Sequence, residues 1–128
     1  MKRYLLDTHV LLWMQDDNIA LSSTARKILE DTTNQLYISI VSLWEVVIKQ
    51  SLGKLHLDYS LNELINSCDT NNIIILPIDY GSLKALKLLP FIHRDPFDRI
   101  IIATAMELDL NLISNDEILK KYLVKVAW

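Results

Sequence analysis

Apolar residues along this chain fall into two kinds of segment. Short, mostly apolar runs stand between longer stretches in which apolar residues recur every three or four positions. The short runs are Arg3–Leu6, Leu36-Tyr37-Ile38, Ile73–Leu76, Asn111-Leu112-Ile113 and Tyr122–Val126. Runs of this length, bounded by polar or turn residues, read as strands buried on both faces. Ile73–Leu76 is the clearest of them, with three β-branched residues and a stop at Pro77.

The longer stretches carry helix signals. Residues 10–15 are helical in pattern and break at Asp16-Asp17-Asn18. Ser22 or Ser23 caps a helix to about Glu30, with Ala25, Ile28 and Leu29 on one face. Val41–Leu52 is periodic and ends at Gly53, a favourable residue just past a helix end. Residues 60–69 place Leu61, Leu64, Ile65 and Cys68 at helical spacing. A helix from Asp79 to Leu89 stops at Pro90, and Asp95 caps another whose first residue is Pro96. Ser114 with Glu117 has the spacing of a capping box opening a short helix. About five short strands alternating with helices imply βαβ units and a parallel sheet covered on both faces.

At 128 residues, half of them apolar, the chain suits a single domain over 1–128 with one core. The single cysteine, Cys68, permits no intrachain disulfide and fits a reducing compartment. The apolar run after Met1-Lys2-Arg3 ends at Asp7, too short for a signal peptide, and no stretch is long enough for a membrane span. The expected location is the cytoplasm. A net charge of −3 does not by itself announce a nucleic-acid binder. Glycine occurs only at positions 53 and 81, which excludes the glycine-rich phosphate-binding loops.

Four carboxylates change the picture: Asp7, Glu45, Asp98 and Asp116. Each follows a strand-like run or opens a helix, and in a parallel sheet such places gather at one edge. Each also has a structural reading. Asp7 suits an N-cap, and Glu45 suits a capping box with Ser42 or an i,i+4 pair with Lys49. In Asp95-Pro96-Phe97-Asp98, capping falls to Asp95, which leaves Asp98 for chemistry. At Ser114-Asn115-Asp116-Glu117 the capping box leaves Asp116 without a capping task. Brought together, four carboxylates repel unless a cation stands between them, and a hard divalent ion such as Mg²⁺ or Mn²⁺ is the usual solution.

These segments resemble the motifs of the PIN-domain family. Leu5-Leu6-Asp7-Thr8-His9-Val10-Leu11-Leu12-Trp13 is similar to its opening motif, and Ser39–Val46 with Lys49 and Gly53-Lys54-Leu55 to its second. Leu89-Pro90 and His93-Arg94-Asp95-Pro96-Phe97-Asp98-Arg99, followed by Ile102–Ala105, resemble the third. Ser114-Asn115-Asp116 resembles the fourth, with Ser114 where the family more often has Thr. Within that family the versions present look like the VapC-type ribonuclease toxins of type II toxin–antitoxin modules.

The resemblance implies an α/β/α sandwich around a parallel sheet and a metal-dependent endoribonuclease. It implies Asp7, Glu45, Asp98 and Asp116 as catalytic and Mg²⁺- or Mn²⁺-binding residues, with Thr8, Ser42 and Ser114 lining the site. Glu45 would hold metal directly or orient the attacking water. Arg99, Arg94, Lys49 and Lys54 are candidate phosphate contacts, with an ion pair to a site carboxylate as the other reading of Arg99. His93 reads as an RNA contact or, in preference, as a loop cap. The partners implied are RNA and an antitoxin protein seated on a groove between Val10–Ile28 and the helix at 41–52, and a homodimer is compatible with the apolar content. Two other readings compete. One is an acidic-pocket binding module without catalysis. The other is an aspartyl phosphotransfer enzyme, which would want a second Asp two residues after Asp7, where His9 stands.

Overall fold

The apolar runs form a wholly parallel sheet at the centre of the molecule. The computed structural model describes residues 1–128. Its strands are β1 (Arg3–Leu6), β2 (Gln35–Ser39), β3 (Ile73–Leu76), β4 (Asn111–Ile113) and β5 (Val126–Ala127). Their order across the sheet is β3-β2-β1-β4-β5. The first strand is therefore central, paired with β2 from Arg3↔Gln35 to Leu6↔Ile38 and with β4 from Tyr4↔Asn111 to Leu6↔Ile113. The helices are α1 (Thr8–Gln15), α2 (Ser23–Glu30), α3 (Ile40–Ser51), α4 (Leu61–Thr70), α5 (Tyr80–Leu88) and α6 (Pro96–Glu107).

The two-residue alternation along the strands sorts side chains between two cores. Tyr4, Leu6, Leu36, Ile38 and Ile113 face one layer, where they meet Val10 and Leu11 of α1, Ala25 of α2 and Leu64 and Cys68 of α4. Leu5 and Leu112 face the other, against Ile101, Ile102 and Ala105 of α6. Each fully buried Leu or Ile contributes about 1.5–3 kcal/mol, so the consecutive pair Leu5-Leu6 fastens β1 to both layers. This is a three-layer α/β/α sandwich. One helix belongs to neither layer alone. Leu43 and Val46 of α3 enter the first core, while its Val41 packs with Ile100 and Ala103 of α6. The helix α3 thus bridges the layers just past the end of β2.

Local signals set most boundaries. Ser22, Ser39, Ser60 and Asp79 cap α2, α3, α4 and α5 by accepting from backbone N–H groups of the first turn. Asp95 accepts from the N–H groups of Phe97 and Asp98, and Pro96 occupies the first turn of α6. Gly53, at φ +68°, takes the left-handed conformation after α3.

Three expectations are corrected. The run Ile73–Leu76 is an edge strand, paired only with β2, and Ile74 is 45% exposed while Leu76 still packs against the α6 core. The last strand is Val126–Ala127, not Tyr122–Val126. Tyr122 and Val124 do point toward the α6 core, but their backbone is drawn away from the ladder, and pairing begins only where Leu112 N–H donates to Lys125 O. Finally, Ser114 is not a cap. Asp116 caps the 3₁₀ helix Glu117–Lys121, its Oδ1 accepting from Ile118 N–H at 2.9 Å. No helix is long and apolar enough to cross a membrane.

The diversion of Tyr122 has a structural use. Its hydroxyl accepts from the N–H groups of Ile92 (3.1 Å) and His93 (2.6 Å) and donates to Pro90 O (3.0 Å), so one side chain holds the loop before α6. Replacing Tyr122 by Phe is expected to cost about 1–3 kcal/mol in denaturant unfolding and to speed hydrogen exchange at Ile92 and His93 selectively. Unchanged exchange at those two amides would contradict this anchoring.

Candidate active site

In a parallel sheet every strand leaves by the same edge, and the four carboxylates stand along that edge. Asp7 is the first residue after β1 and the N-cap position of α1, but it makes no side-chain cap bond, so its carboxylate is free of helix duty. It is 7% exposed, and its Oδ2 accepts from the Ser114 hydroxyl at 2.6 Å. Ser114 follows β4, and its Oγ in turn accepts from Asp116 N–H at 3.1 Å. This one hydroxyl ties the exits of the two central strands together.

Glu45 comes from the second turn of α3 and is 3% exposed. Both of its oxygens are engaged. Thr8 Oγ1 lies 2.8 Å from Glu45 Oε1 and 2.8 Å from Ser42 Oγ, and Lys49 Nζ lies 2.6 Å from Oε2. With a single hydrogen, Thr8 donates to the carboxylate and accepts from Ser42. The Lys49 pair matters more than a surface i,i+4 pair, usually about 0.3–0.5 kcal/mol, because the buried Glu45 would otherwise hold an uncompensated charge. The bond to Glu45 raises the Lys49 pKa.

Asp98 sits in the first turn of α6, whose N-terminus the Asp95 cap and Pro96 fix. The Nε2 of His93 lies 3.2 Å from Asp98 Oδ2 and 2.9 Å from Asp116 Oδ2. One donor atom each from His93, Asp98 and Asp116 falls within 4.8 Å of the others, which makes a compact group able to hold a metal ion. Asp7 and Glu45 stand beside that group, close enough to act on Asp98 electrostatically. Burial, and next the negative charge of Asp7, pushes Asp98 up to about 7. Burial likewise raises Asp7, against the Ser114 bond that lowers it.

Hard oxygen donors, partly desolvated and crowded until at least two resist ionisation, fit a hard divalent cation. Asp7 and Asp98 have oxygens to offer, whereas both Glu45 oxygens are engaged, and those of Asp116 are taken by Ile118 N–H and by His93. The wider surface clefts, about 410 and 500 Å³, lie at the opposite edge around the starts of β1, β2 and β4. They gather no comparable set of buried carboxylates.

The other sequence expectations fare unevenly. Thr8, Ser42 and Ser114 all reach the site, and their hydroxyls are spent on the carboxylates and on each other. Arg99 does not ion-pair with a carboxylate. It is 8% exposed, stacks on Phe91 at 4.1 Å and donates to the carbonyls of Pro90 (3.0 Å), Leu89 (3.4 Å) and His93 (3.5 Å), so it holds the 89–93 loop and is poorly placed for phosphate. Arg94 and Lys54 are exposed. His93 does cap its loop, Nδ1 accepting from Asp95 N–H at 3.1 Å, and its Nε2 also reaches the carboxylates, which a cap alone does not foresee. The HRDPFD spacing was the available signal, because it places the imidazole one loop before the Asp98 carboxylate.

A family model described as PIN domain matches residues 4–124. Among solved structures, the VapBC2 structure from Rickettsia felis, bound to a DNA fragment from its promoter, superposes with a TM-score of 0.70 at 12% identity. That match covers 98% of this chain and 97% of the other. A toxin–antitoxin complex from Klebsiella pneumoniae gives 0.65 at 21% identity, covering 98% and 96%. FitAcB from Neisseria gonorrhoeae gives 0.63 at 19%, covering 96% and 95%. At these identities the likeness is one of fold. Among curated proteins no relative matches the sequence.

The raised Asp98 carries a stability signature. Its folded pKa of about 7 stands above the ordinary 3.8, so the folded state favours the protonated acid. That stabilisation is complete below about pH 4 and is lost as pH rises through about 7. Asp98→Asn is therefore expected to raise Tm of the metal-free protein by roughly 5 °C or more at pH 8 and by much less at pH 5. Thermal melts at the two pH values check this, and equal shifts would contradict the assigned ionisation.

Proposed function

This chain belongs to the PIN domain family, and on that premise we propose that it is a divalent-metal-dependent endoribonuclease, the toxin of a toxin–antitoxin pair. The carrying observation is the acidic cluster itself: Asp7, Asp98 and Asp116, tied by Ser114 and His93, with buried Glu45 beside them. The toxin–antitoxin assignment draws support from the fold neighbours, which include a toxin–antitoxin complex and a promoter-bound VapBC2.

In this reading Asp7, Asp98 and Asp116 hold Mg²⁺ or Mn²⁺. The ion supplies Lewis acidity, lowering the pKa of bound water and offsetting charge on the phosphate. The protein's own part is positional. Thr8 and Lys49 fix the Glu45 carboxylate so that it orients the attacking water and accepts its proton. Water forms the new P–O bond and the ribose oxygen leaves. A side-chain nucleophile is not in evidence. The Ser42, Ser114 and Thr8 hydroxyls are committed to the acid network, and Cys68 is buried in the α4 core with its pKa raised by that burial. Exposed Arg94, next to His93, supplies positive charge for the RNA backbone, a contact that positions without specifying sequence.

The antitoxin has a surface suited to it. Ile40, Trp44 and Val47 follow one another along α3 at 41%, 56% and 39% exposure, and Trp44 meets Phe97 edge-on at 5.3 Å. We place a partner's apolar segment on this stripe, on the same helix as Glu45, where it would cover the approach to the acidic cluster.

The direct test is cleavage of total RNA by purified protein. Cutting is expected with Mg²⁺ or Mn²⁺ and lost in EDTA, and Asp98→Asn and Asp7→Asn are each expected to reduce the rate by about 100-fold or more. Cutting that persists in EDTA, or that the variants leave unchanged, would refute the assignment.

A further inference from the structure

We propose that His93 is an internal competitor for the cation: its ring stands between Asp98 and Asp116 as a hydrogen-bond donor and must turn aside before a divalent ion can take both carboxylates. This rests on reading the acidic cluster as a cation site.

The ring's role follows from its partners. Nδ1 accepts from Asp95 N–H at 3.1 Å. A nitrogen that accepts carries no hydrogen, so the hydrogen sits on Nε2, the atom 2.9 Å from Asp116 Oδ2 and 3.2 Å from Asp98 Oδ2. A ring nitrogen bearing hydrogen has no lone pair for a metal. As placed, His93 is therefore a donor to Asp116, with the Asp98 carboxylate in close contact at 3.2 Å, and not a third ligand, although its Nε2 lies at ligand spacing.

The competition is direct at Asp116. Its Oδ1 already accepts from Ile118 N–H in capping the 3₁₀ helix. Oδ2 is the oxygen left for a cation, and it is the one His93 occupies.

What moves is also legible. Tyr122 Oη takes the His93 and Ile92 N–H groups and donates to Pro90 O, while Arg99 donates to Pro90 O and Leu89 O. The backbone is fixed from two sides. The ring, by contrast, is held only by Asp95 N–H and the two carboxylates, is 11% exposed, and turns about its side-chain torsions. Cation entry thus exchanges two hydrogen bonds and one close carboxylate contact of one side chain for metal–oxygen bonds and leaves the loop in place.

The experiment measures Mn²⁺ affinity by calorimetry for the partner-free wild type, His93→Ala and His93→Gln. His93→Ala is expected to bind Mn²⁺ about tenfold more tightly, the effect of removing hydrogen bonds to charged groups. His93→Gln, which keeps an N–H at similar reach, is expected to stay near wild type. In wild type, adding Mg²⁺ should shift the His93 ring nitrogen resonances while the Ile92 and His93 amide resonances hold, a readout that does not depend on the variants folding. Weaker binding by His93→Ala would make the ring a ligand and overturn the proposal. Equal affinity with unmoved ring signals would overturn it while leaving the nuclease reading intact. No Mn²⁺ uptake by any of the three proteins would overturn both.

Discussion

Crowded negative charge at one edge of a parallel sheet is the constraint on which the rest of this structure depends. Two like charges ~6 Å apart at an effective dielectric near ~20 repel by about 3 kcal/mol, and here four carboxylates share the ends of β1, α3, β4 and α6. Against them stand one ammonium, Lys49, which is committed to Glu45, and the imidazoles of His93, beside Asp98 and Asp116, and of His9, which acts on Asp7. Burial raises Asp7, and burial together with the negative charge of Asp7 raises Asp98. On the proposed reading, such an arrangement gives up stability for a site that a divalent cation would complete.

The architecture delivers this charge to one place with few parts. Putting the first strand at the centre of the sheet sets Asp7 between the exits of β2 and β4. A bridging α3 carries Glu45 over the same edge, and a Pro-initiated α6 aims its first turn there. Three small hydroxyls, Thr8, Ser42 and Ser114, then fix carboxylate orientation without adding charge. The loop from Leu89 to Asp95 is the remaining part, anchored by Tyr122 and Arg99, two residues whose polar ends work away from the carboxylates.

What the sequence disclosed and what it hid follow from the range of the interactions involved. Strands buried on both faces announce themselves as apolar runs, and caps such as Asp95 or Ser22 act within three residues, so alternation and helix starts were readable. The edge status of β3 was not, because Ile73–Leu76 is as apolar as a central strand and only its place at the end of the strand order leaves Ile74 exposed. Asp116 was read as free of capping because Ser114-x-x-Glu117 has the local pattern of a capping box. In the structure Ser114 donates to Asp7, across 107 residues, and accepts from Asp116 N–H, while Asp116 itself takes the cap of the 3₁₀ helix. Arg99 looked like a phosphate contact and His93 like a loop cap for the same reason. The partners of Arg99 are loop carbonyls up to ten residues away, and His93 reaches both the nearby Asp98 and Asp116, 23 residues on, a contact no local pattern encodes.

The most direct test of the central claim is to locate Mn²⁺ by anomalous diffraction in crystals of the protein. The account predicts a peak bound by carboxylate oxygens of Asp98 and Asp116, with Asp7 in its coordination shell directly or through water and the His93 ring turned away. A peak elsewhere on the molecule, or none at millimolar Mn²⁺ with the four carboxylates as described, would contradict it.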